Sequence, residues 1–204
     1  MDRYLPETQQ ILLRHLGPEM QTLGFYLAGG TALAIYYQHR LSVVLDWFTQ
    51  YPIGDSMLLA SKLQDKLALT ITDVGPGTLH ALTGKVRLSF LEYRYPLLKP
   101  VMISPDFDCP VSSLDDIACM KLSAIAQSGS RKDFIDVYTL VQRYRSLPDL
   151  LDMYRKKYDV GDIASVFYGL VYFDDAEQEP LPKNWQGNWK EVVQSFQRWV
   201  KALD

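Results

Sequence analysis

Short segments with strand and helix periodicity alternate along the first half of the chain. They predict helices at residues 5–16, 31–39 and 56–67 and strands at residues 24–28, 41–48, 69–74, 78–82 and 85–93. We expect Gly17-Pro18 to end the first helix and Thr83-Gly84 to close a hairpin between the last two strands. Thr31 and Asp55 are candidate caps of the second and third helices. Repeated strands together with a hairpin predict a mixed sheet.

Helical periodicity dominates after about Pro110. The pattern predicts helices at residues 114–127, 132–145, 148–158, 163–172 and 189–203, and an exposed linker with an acidic cluster and two prolines at residues 174–187. The change from alternating strands and helices to helices alone predicts an α/β (α+β) fold in two parts. Residues 1–110 are expected to form the sheet with its helices, and residues 111–204 a helical region that packs on it and completes a cleft.

The composition indicates a folded protein. The 204 residues are 48% hydrophobic and 22% charged, which is enough apolar material to exclude disorder as the main state. A chain of this length buries enough surface to fold without disulfides or a structural metal. Cys109 and Cys119 stand ten residues apart with no partnering metal motif, which predicts a reducing compartment and no zinc site.

The charge and hydropathy of the chain narrow the expected partners. No apolar run reaches membrane-spanning length, and the first residues lack the apolar core of a signal peptide. We therefore expect a cytoplasmic protein without a membrane partner. The formal charge of −3 argues against a broad electrostatic attraction to nucleic acid, although a local basic cleft can hold one phosphate-rich substrate.

The Gly29-Gly30 turn is the first feature that suggests chemistry. Because a helix follows it, unpaired N–H groups and the positive end of the helix dipole face outward there, and glycines let a phosphate approach the backbone. A nucleoside triphosphate fits such a site. Gly-Gly turns that only join a strand to a helix are common, so a purely structural turn is the alternative.

Asp46 is a carboxylate within an apolar strand. Strand alternation places Ser42, Val44, Asp46 and Phe48 on one face and Val43, Leu45 and Trp47 on the other. A charged group in such a strand is costly unless it meets a metal, a cation or several donors. Asp46 is therefore a candidate functional residue, and a buried salt bridge with His39 or Arg40 is the alternative.

Two sets of polar residues follow one another in a recognisable order. The first set is Gly29, Gly30, Thr31, His39, Arg40, Ser42 and Asp46, and the second is Asp116, Lys121 and then Asp133 or Asp136. In both sets the chain resembles the AbiEii/AbiGii toxin family of the nucleotidyltransferase superfamily. That family has a Gly-Gly-Thr turn and helix, His-Arg, a Ser and two aspartates on a strand, then Asp-x4-Lys and a second Asp-bearing helix. The resemblance covers about residues 20–145.

The resemblance implies a nucleotidyltransferase-like fold and function. The implied reaction transfers a nucleoside monophosphate from an NTP, with Mg²⁺, to an RNA acceptor in a toxin–antitoxin or phage-defence role, so that NTP, RNA and an antitoxin protein are the expected partners. The implied nucleotide-binding residues are Gly29, Gly30, Thr31, Arg40, Ser42 and Lys121. By the same resemblance, Asp46 binds the metal, and Asp133 or Asp136 acts on the acceptor side.

Val44 departs from the family pattern, because the first aspartate of the pair belongs there. Two carboxylates two residues apart on a strand point the same way and can share Mg²⁺, whereas valine cannot ligate, so Asp46 alone would bind the ion weakly. The best candidate strand for a third carboxylate offers only Glu92, on the face opposite to Ser89. Two other functions therefore stay open: an inactive relative that binds nucleotide or a partner protein, and a kinase-like phosphotransferase on the same scaffold.

Asp116 and Lys121 have ordinary structural alternatives. Ser113 and Asp116 match a helix capping box. Asp116 and Lys121 lie about 140° apart around a helix, which is too far to share one face. Lys121 could equally be a solvated lysine on an amphipathic helix.

Asp133 and Asp136 lie three residues apart and share one helical face. Either could serve the cleft, as a base or as an orienter of Lys121 or Arg131, and the sequence does not decide which. An ordinary surface pair between Lys132 and Asp136, four residues apart, is the structural alternative.

Overall fold

The computed structural model describes residues 4–203. Residues 1–3 of the first expected part and residue 204 of the second lie outside the described residues. The described residues form a seven-stranded mixed sheet with helices packed on it, which confirms the α/β (α+β) class. The helices are α1 (Glu7–Thr22), α2 (Gly29–Tyr37), α3 (Ser56–Gln64), α4 (Leu114–Gln127), α5 (Arg131–Arg143), α6 (Leu147–Tyr158), α7 (Ala164–Val171), α8 (Asp174–Gln178) and α9 (Trp189–Lys201). The strands are β1 (Tyr26–Leu27), β2 (Val44–Thr49), β3 (Thr70–Gly75), β4 (Thr78–Thr83), β5 (Val86–Glu92), β6 (Met102–Ser104) and β7 (Cys109–Val111).

The strand order of the sheet is β3-β4-β5-β2-β1-β7-β6. β2 runs parallel to β5 and β1 parallel to β7, and the other neighbouring pairs are antiparallel. The expected hairpin is present, with Thr83 opposite Val86. Leu45 and Trp47 of β2 are fully buried in the core, whereas Val44 and Asp46 are only partly buried, which confirms the alternation inferred for this strand.

Gly17-Pro18 does not end α1, which continues to Thr22. Pro18 removes one helical hydrogen bond. Gly17 is buried, and a Cβ on it would lie 2.4 Å from the carbonyl oxygen of Asp108, so that only glycine lets the helix pack this closely beside β7. Packing of the helix on the sheet therefore outweighs the local stop signal.

Two further features differ from the sequence pattern. The pattern misses β6 and β7, because each has only three residues and β7 contains Pro110. The segment 174–187 is only partly an exposed linker, since it contains α8 with Ala176 buried. Arg131 anchors this segment by donating from Nε to the carbonyl oxygen of Ala176 and from Nη2 to that of Glu177, each at 2.7 Å. The division of the chain at residue 110 stays a prediction.

Cys109 and Cys119 are free and buried, and burial raises the pKa of each thiol to about 12. Neither thiol is therefore a reactive nucleophile at neutral pH. Within residues 4–203, no helix combines the length and the apolar character needed to cross a bilayer.

A buried ion pair joins α4 to α6. Lys157 Nζ donates to Asp116 Oδ1 at 2.7 Å, and both side chains are fully buried. The Asp116 carboxylate also accepts from the backbone N–H groups of Leu98 and Lys99, and its own N–H donates to the Ser113 hydroxyl. This confirms the capping-box interpretation of Asp116, which acts in the fold.

Lys157→Ala should lower the free energy of unfolding by about 3–5 kcal/mol, because it leaves the buried Asp116 carboxylate without its cation. Urea denaturation followed by circular dichroism measures the change. Lys156 is the next residue along α6 and is exposed, so Lys156→Ala is the matched control and should change the unfolding free energy by less than about 0.5 kcal/mol. Equal effects of the two substitutions would contradict a stabilising role for the pair.

Candidate functional site

A cavity of about 450 Å³ opens between the start of α2, strand β2 and helices α4 and α5. The residues expected at the site that line it are Gly30, Arg40, Ser42, Asp46 and Lys121. The expected residues that do not line it are Gly29, Thr31, Asp133 and Asp136. Of these five expected residues that line the cavity, four come from the segment 30–46. The fifth, Lys121, lies on helix α4 on the other side of the cavity.

The diglycine turn packs against a guanidinium. A Cβ on Gly30 would lie 2.4 Å from Arg40 Nη2, so the absence of a side chain lets Arg40 rest on the start of α2. Gly29 has a φ of +67°, a conformation that favours glycine. The Asp46 carboxylate lies below the same turn, with Oδ2 3.7 Å from the place of a Cβ on Gly29. The turn therefore carries the positive end of a helix, a guanidinium and a carboxylate within one small volume.

Thr31 does not cap α2, because the helix begins two residues earlier, after Ala28. The buried Thr31 hydroxyl instead donates to the carbonyl oxygen of Val44 and is 2.8 Å from Ser42 Oγ. Thr31 is thus occupied by its neighbours and fixes Ser42 at the cavity wall. Because Thr31 donates its single hydroxyl proton to Val44, the Ser42 hydroxyl donates to Thr31. Ser42 lines the cavity, and its O–H must turn away from Thr31 to donate to a phosphate there.

Asp136 is the centre of a buried network of cations. Its carboxylate accepts from Arg40 Nε and Nη2 and from His39 Nε2, each at 2.7 Å, and it lies 2.8 Å from Lys121 Nζ. Its side chain is fully buried. The expected alternative of a bridge from His39 or Arg40 to Asp46 is therefore wrong, because both side chains pair with Asp136. The alternative of a surface pair between Lys132 and Asp136 is also wrong, because Lys132 is exposed and Asp136 is fully buried.

Lys121 is held by two carboxylates. Its Nζ donates to Asp133 Oδ1 at 2.7 Å and pairs with Asp136, and Asp133 Oδ2 accepts from the Ser130 hydroxyl at 2.5 Å. The Lys121 residue is only 7% exposed, so the solvated-lysine alternative is wrong. Since both aspartates are engaged and neither lines the cavity, the structure favours them as orienters of Lys121 over either acting as a base.

Electrostatic interactions keep Asp136, Arg40 and Lys121 charged at neutral pH. Burial tends to raise the pKa of Asp136, but the charges of Arg40 and Lys121 and the hydrogen bond from His39 outweigh it and hold that pKa well below its usual value. Burial tends to lower the pKa values of Arg40 and Lys121, and the nearby aspartates raise both above their usual values. The network is therefore a permanent set of charges at neutral pH.

Arg40 and Lys121 line the cavity, and some of their N–H groups have no hydrogen-bond partner among the described residues. An ammonium has three N–H groups, and Asp133 and Asp136 engage two of those on Lys121. A guanidinium has five, and the contacts of Arg40 with Asp136 and with the carbonyl oxygen of Leu41 engage three. The remaining donors can bind oxygens of an anion in the cavity.

The sequence pattern misses one wall of the cavity. The residues of this wall are Lys132, Glu179, Pro180, Leu181, Pro182 and Lys183. The backbone N–H of Leu41 donates to the carbonyl oxygen of Lys183 at 3.0 Å, and that of Arg131 donates to Glu179 Oε2 at 2.9 Å. Prolines beside charged residues are typical of solvated loops, so only these long-range contacts reveal the segment as part of the site.

The carboxylates limit which metal the cavity can hold. Glu92 is engaged by the backbone N–H of Ile53 and by Arg94 and does not line the cavity, whereas Ser89 pairs with Asp46 in the sheet register. Among the described residues, no three His, Cys, Asp or Glu side chains are grouped as a metal site. Asp46 alone does not make a site for free Mg²⁺, but it fits an ion that brings phosphate oxygens and water as its other ligands.

Gly30→Ala should lower the free energy of unfolding by about 1–3 kcal/mol, because its Cβ would displace the Arg40 guanidinium. Alanine is otherwise the better helix former, so destabilisation here isolates the contact with Arg40. Gly161 provides the control, because a Cβ added there would have no atom within 4 Å. Gly161→Ala should not lower the free energy of unfolding. Urea midpoints of the two variants test this, and an unchanged midpoint for Gly30→Ala would count against the contact.

Asp136 should make stability depend on pH in the acid range. Its pKa is lowered by folding, so its contribution is present above the unfolded pKa of about 3.9 and is lost as the pH falls toward the folded value. The urea midpoint of the wild type should therefore fall more steeply below about pH 4 than that of Asp136→Asn. Asp152→Asn, at a side chain 77% exposed, should follow the wild type, and parallel curves for all three would refute the assignment.

Comparison with known sequences identifies a matching family and a related protein. The model of the family described as nucleotidyl transferase AbiEii toxin, type IV TA system, matches residues 81–202. An uncharacterised protein of Aquifex aeolicus (strain VF5) is 39% identical over 180 residues, which are 87% of this chain and 86% of that protein. The family match contains Lys121, Asp133 and Asp136 and leaves the segment 29–46 outside.

Comparison with solved structures identifies the fold. JHP933 from Helicobacter pylori has a TM-score of 0.61 at 16% identity, over 98% of this chain and 93% of that chain. MenT4, a nucleotidyltransferase toxin from Mycobacterium tuberculosis H37Rv, has a TM-score of 0.63 at 14% identity, over 97% of this chain and 82% of that chain. At such identities the likeness establishes the shared fold.

Proposed function

Because the chain belongs to the nucleotidyl transferase AbiEii toxin family of type IV toxin–antitoxin systems, we propose that its cavity binds a nucleoside triphosphate with Mg²⁺ and transfers the nucleoside monophosphate to an RNA acceptor. The family match also confirms the resemblance noted in the sequence. The observation that carries the proposal is the meeting of Gly30, Arg40, Ser42, Asp46 and Lys121 around one cavity.

The cationic groups of the cavity suit the charge of a triphosphate. In the proposed reaction an acceptor hydroxyl oxygen bonds to the α-phosphorus and gives its proton to water, the bond from that phosphorus to the bridging oxygen breaks, and pyrophosphate leaves. The third N–H of Lys121 and the remaining N–H groups of Arg40 would donate to the phosphate oxygens. The Ser42 hydroxyl and the start of α2 would position the chain of phosphates. These residues would act by positioning and by stabilising charge.

Asp46 is the residue that would bind Mg²⁺ together with the triphosphate. When bound, the ion would neutralise negative charge on the transferring phosphoryl group. Val44 and Ser89 stand beside Asp46 on the same face of the sheet and supply no carboxylate. We therefore expect weak metal binding and slow transfer.

The rim of the cavity suits a polyanionic acceptor. Lys132 and Lys183 are exposed side chains on this rim and can pair with backbone phosphates of RNA. The family description supports an antitoxin protein as a further partner.

A catalytically inactive nucleotide-binding protein is the second candidate function. The observation in its favour is that Val44 and Ser89, the neighbours of Asp46 on this face of the sheet, supply no carboxylate, while all the proposed phosphate contacts are retained. Such a protein would bind NTP or a partner and release no pyrophosphate.

Val44→Asp should raise Mg²⁺-dependent transfer by roughly tenfold or more, because it places a second carboxylate beside Asp46 on the same face. The assay offers α-labelled and γ-labelled NTPs with bulk RNA and with protein. Label transferred from the α-phosphate identifies a nucleotidyltransferase, label from the γ-phosphate a kinase-like phosphotransferase, and binding without transfer the inactive relative.

Val160→Asp is the matched control for this substitution. Val160 is exposed, lies just after α6 and does not line the cavity, so an aspartate there adds the same charge away from Asp46. It should leave both transfer and Mg²⁺ affinity, measured by calorimetry with a nonhydrolysable NTP, at wild-type levels. No gain from Val44→Asp over Val160→Asp in either measurement would contradict the proposed metal site.

A further inference from the structure

A second cavity of about 840 Å³ lies on the other side of the Asp136 network. Its lining residues come from the end of α2, from α5 and from the segment before α9, and include Gln38, His39, Gln142, Arg143 and Trp185. His39 lines this cavity while the next residue, Arg40, lines the first one. The two cavities are therefore separate and share the carboxylate of Asp136 as a common support.

The imidazole of His39 has a nitrogen without a partner. Its side chain is 3% exposed, Nε2 faces Asp136, and Nδ1 has no hydrogen-bond partner among the described residues. Because ionised Asp136 can only accept, Nε2 must carry the proton, and in the neutral ring Nδ1 is then an acceptor. Nδ1 is itself closed to solvent, so the imidazole contributes to the second cavity as part of its wall.

Arg143 gives the second cavity its charge. Among the described lining residues it is the only charged one. Its Nη1 donates to the carbonyl oxygen of Tyr37 at 3.1 Å, and its guanidinium lies 5.7 Å from the centre of the Tyr37 ring. These contacts hold the exposed guanidinium beside the cavity and leave other N–H groups to bind an anion such as a phosphate.

Aromatic and amide side chains complete the lining. Trp185 packs directly on Gly187, where a Cβ would lie 2.3 Å from the indole ring, so the position of the ring is constrained. Tyr138 stacks on Trp199 behind the cavity with ring centres 5.7 Å apart. Gln38, Gln142 and Gln186 add amides that can both donate and accept. Aromatic faces, amides and one fixed guanidinium are the groups that bind a base together with its phosphate.

We infer that this second cavity binds a nucleoside monophosphate unit, either as a free nucleotide or as the end of an RNA chain. The phosphate pairs with Arg143, the base stacks on Trp185, and His39 forms the wall of the cavity beside the ligand. The inference goes beyond the proposed transfer reaction, since it concerns binding on the opposite side of Asp136 and does not require turnover.

Binding of AMP and of a five-nucleotide RNA ending in A, measured by calorimetry with the full chain, tests the inference. Arg143→Gln and Trp185→Leu should each raise the dissociation constant by roughly tenfold, through loss of a charge-assisted contact and of a stacking face. Arg155→Gln on α6 and Tyr168→Leu on α7 replace the same residue classes outside the cavity and should have no effect. Tighter binding of the RNA than of AMP identifies a chain end as the ligand, and equal or weaker binding identifies the free nucleotide.

Nitrogen NMR of the histidines locates the bound nucleotide. The chain has three histidines, so His15 and His80 serve as internal references. The Nδ1 resonance of His39 should shift when AMP binds, while those of His15 and His80 should not. Absence of binding by the wild type at millimolar concentration, affinity unchanged in both Arg143→Gln and Trp185→Leu, or shifts that spare His39 would each overturn the inference.

Discussion

The buried carboxylate of Asp136 is the constraint on which the arrangement of the site depends. An isolated charge at that depth is very costly, and it is stable because Arg40, Lys121 and His39 converge on it. The same contacts determine where the useful groups of the site can lie. Arg40 is held against the start of α2, and Lys121 is brought from α4 to the opposite wall. Folding and site formation are therefore one event in this part of the protein.

Charge neutrality within the network governs what the first cavity can bind. Around it, the cations Arg40, Lys121, Lys132 and Lys183 are matched in number by the carboxylates Asp46, Asp133, Asp136 and Glu179. The cavity therefore has no excess positive charge with which to attract an anion over a distance. Binding of a triphosphate must depend on directed N–H groups at short range and on a cation that arrives with it. This agrees with a chain whose formal charge is −3.

Local pattern predicts the elements and the faces of single strands, but not which strands and helices meet. Alternation alone places Asp46 beside Val44 on the face opposite Leu45, because side-chain direction has a period of two. The pairing of Arg40 with Asp136 spans 96 residues and requires the packing of α5 against α2, which no local signal encodes. Likewise, the wall at residues 179–183 has the composition of a solvated loop and becomes part of the site through its contacts with Leu41 and Arg131.

Membership of the family and competence for transfer rest on different parts of the chain. The matched residues 81–202 contain Lys121, Asp133 and Asp136, whose buried charges stabilise the fold whether or not a reaction occurs. The face proposed to bind metal belongs mainly to β2, where Val44 and Asp46 lie outside the match. Replacing a carboxylate by valine there removes repulsion between like charges in the absence of metal, and it lowers metal affinity without disturbing the network. The network can therefore persist in a protein that has lost its chemistry, so its presence supports nucleotide binding more strongly than it supports turnover.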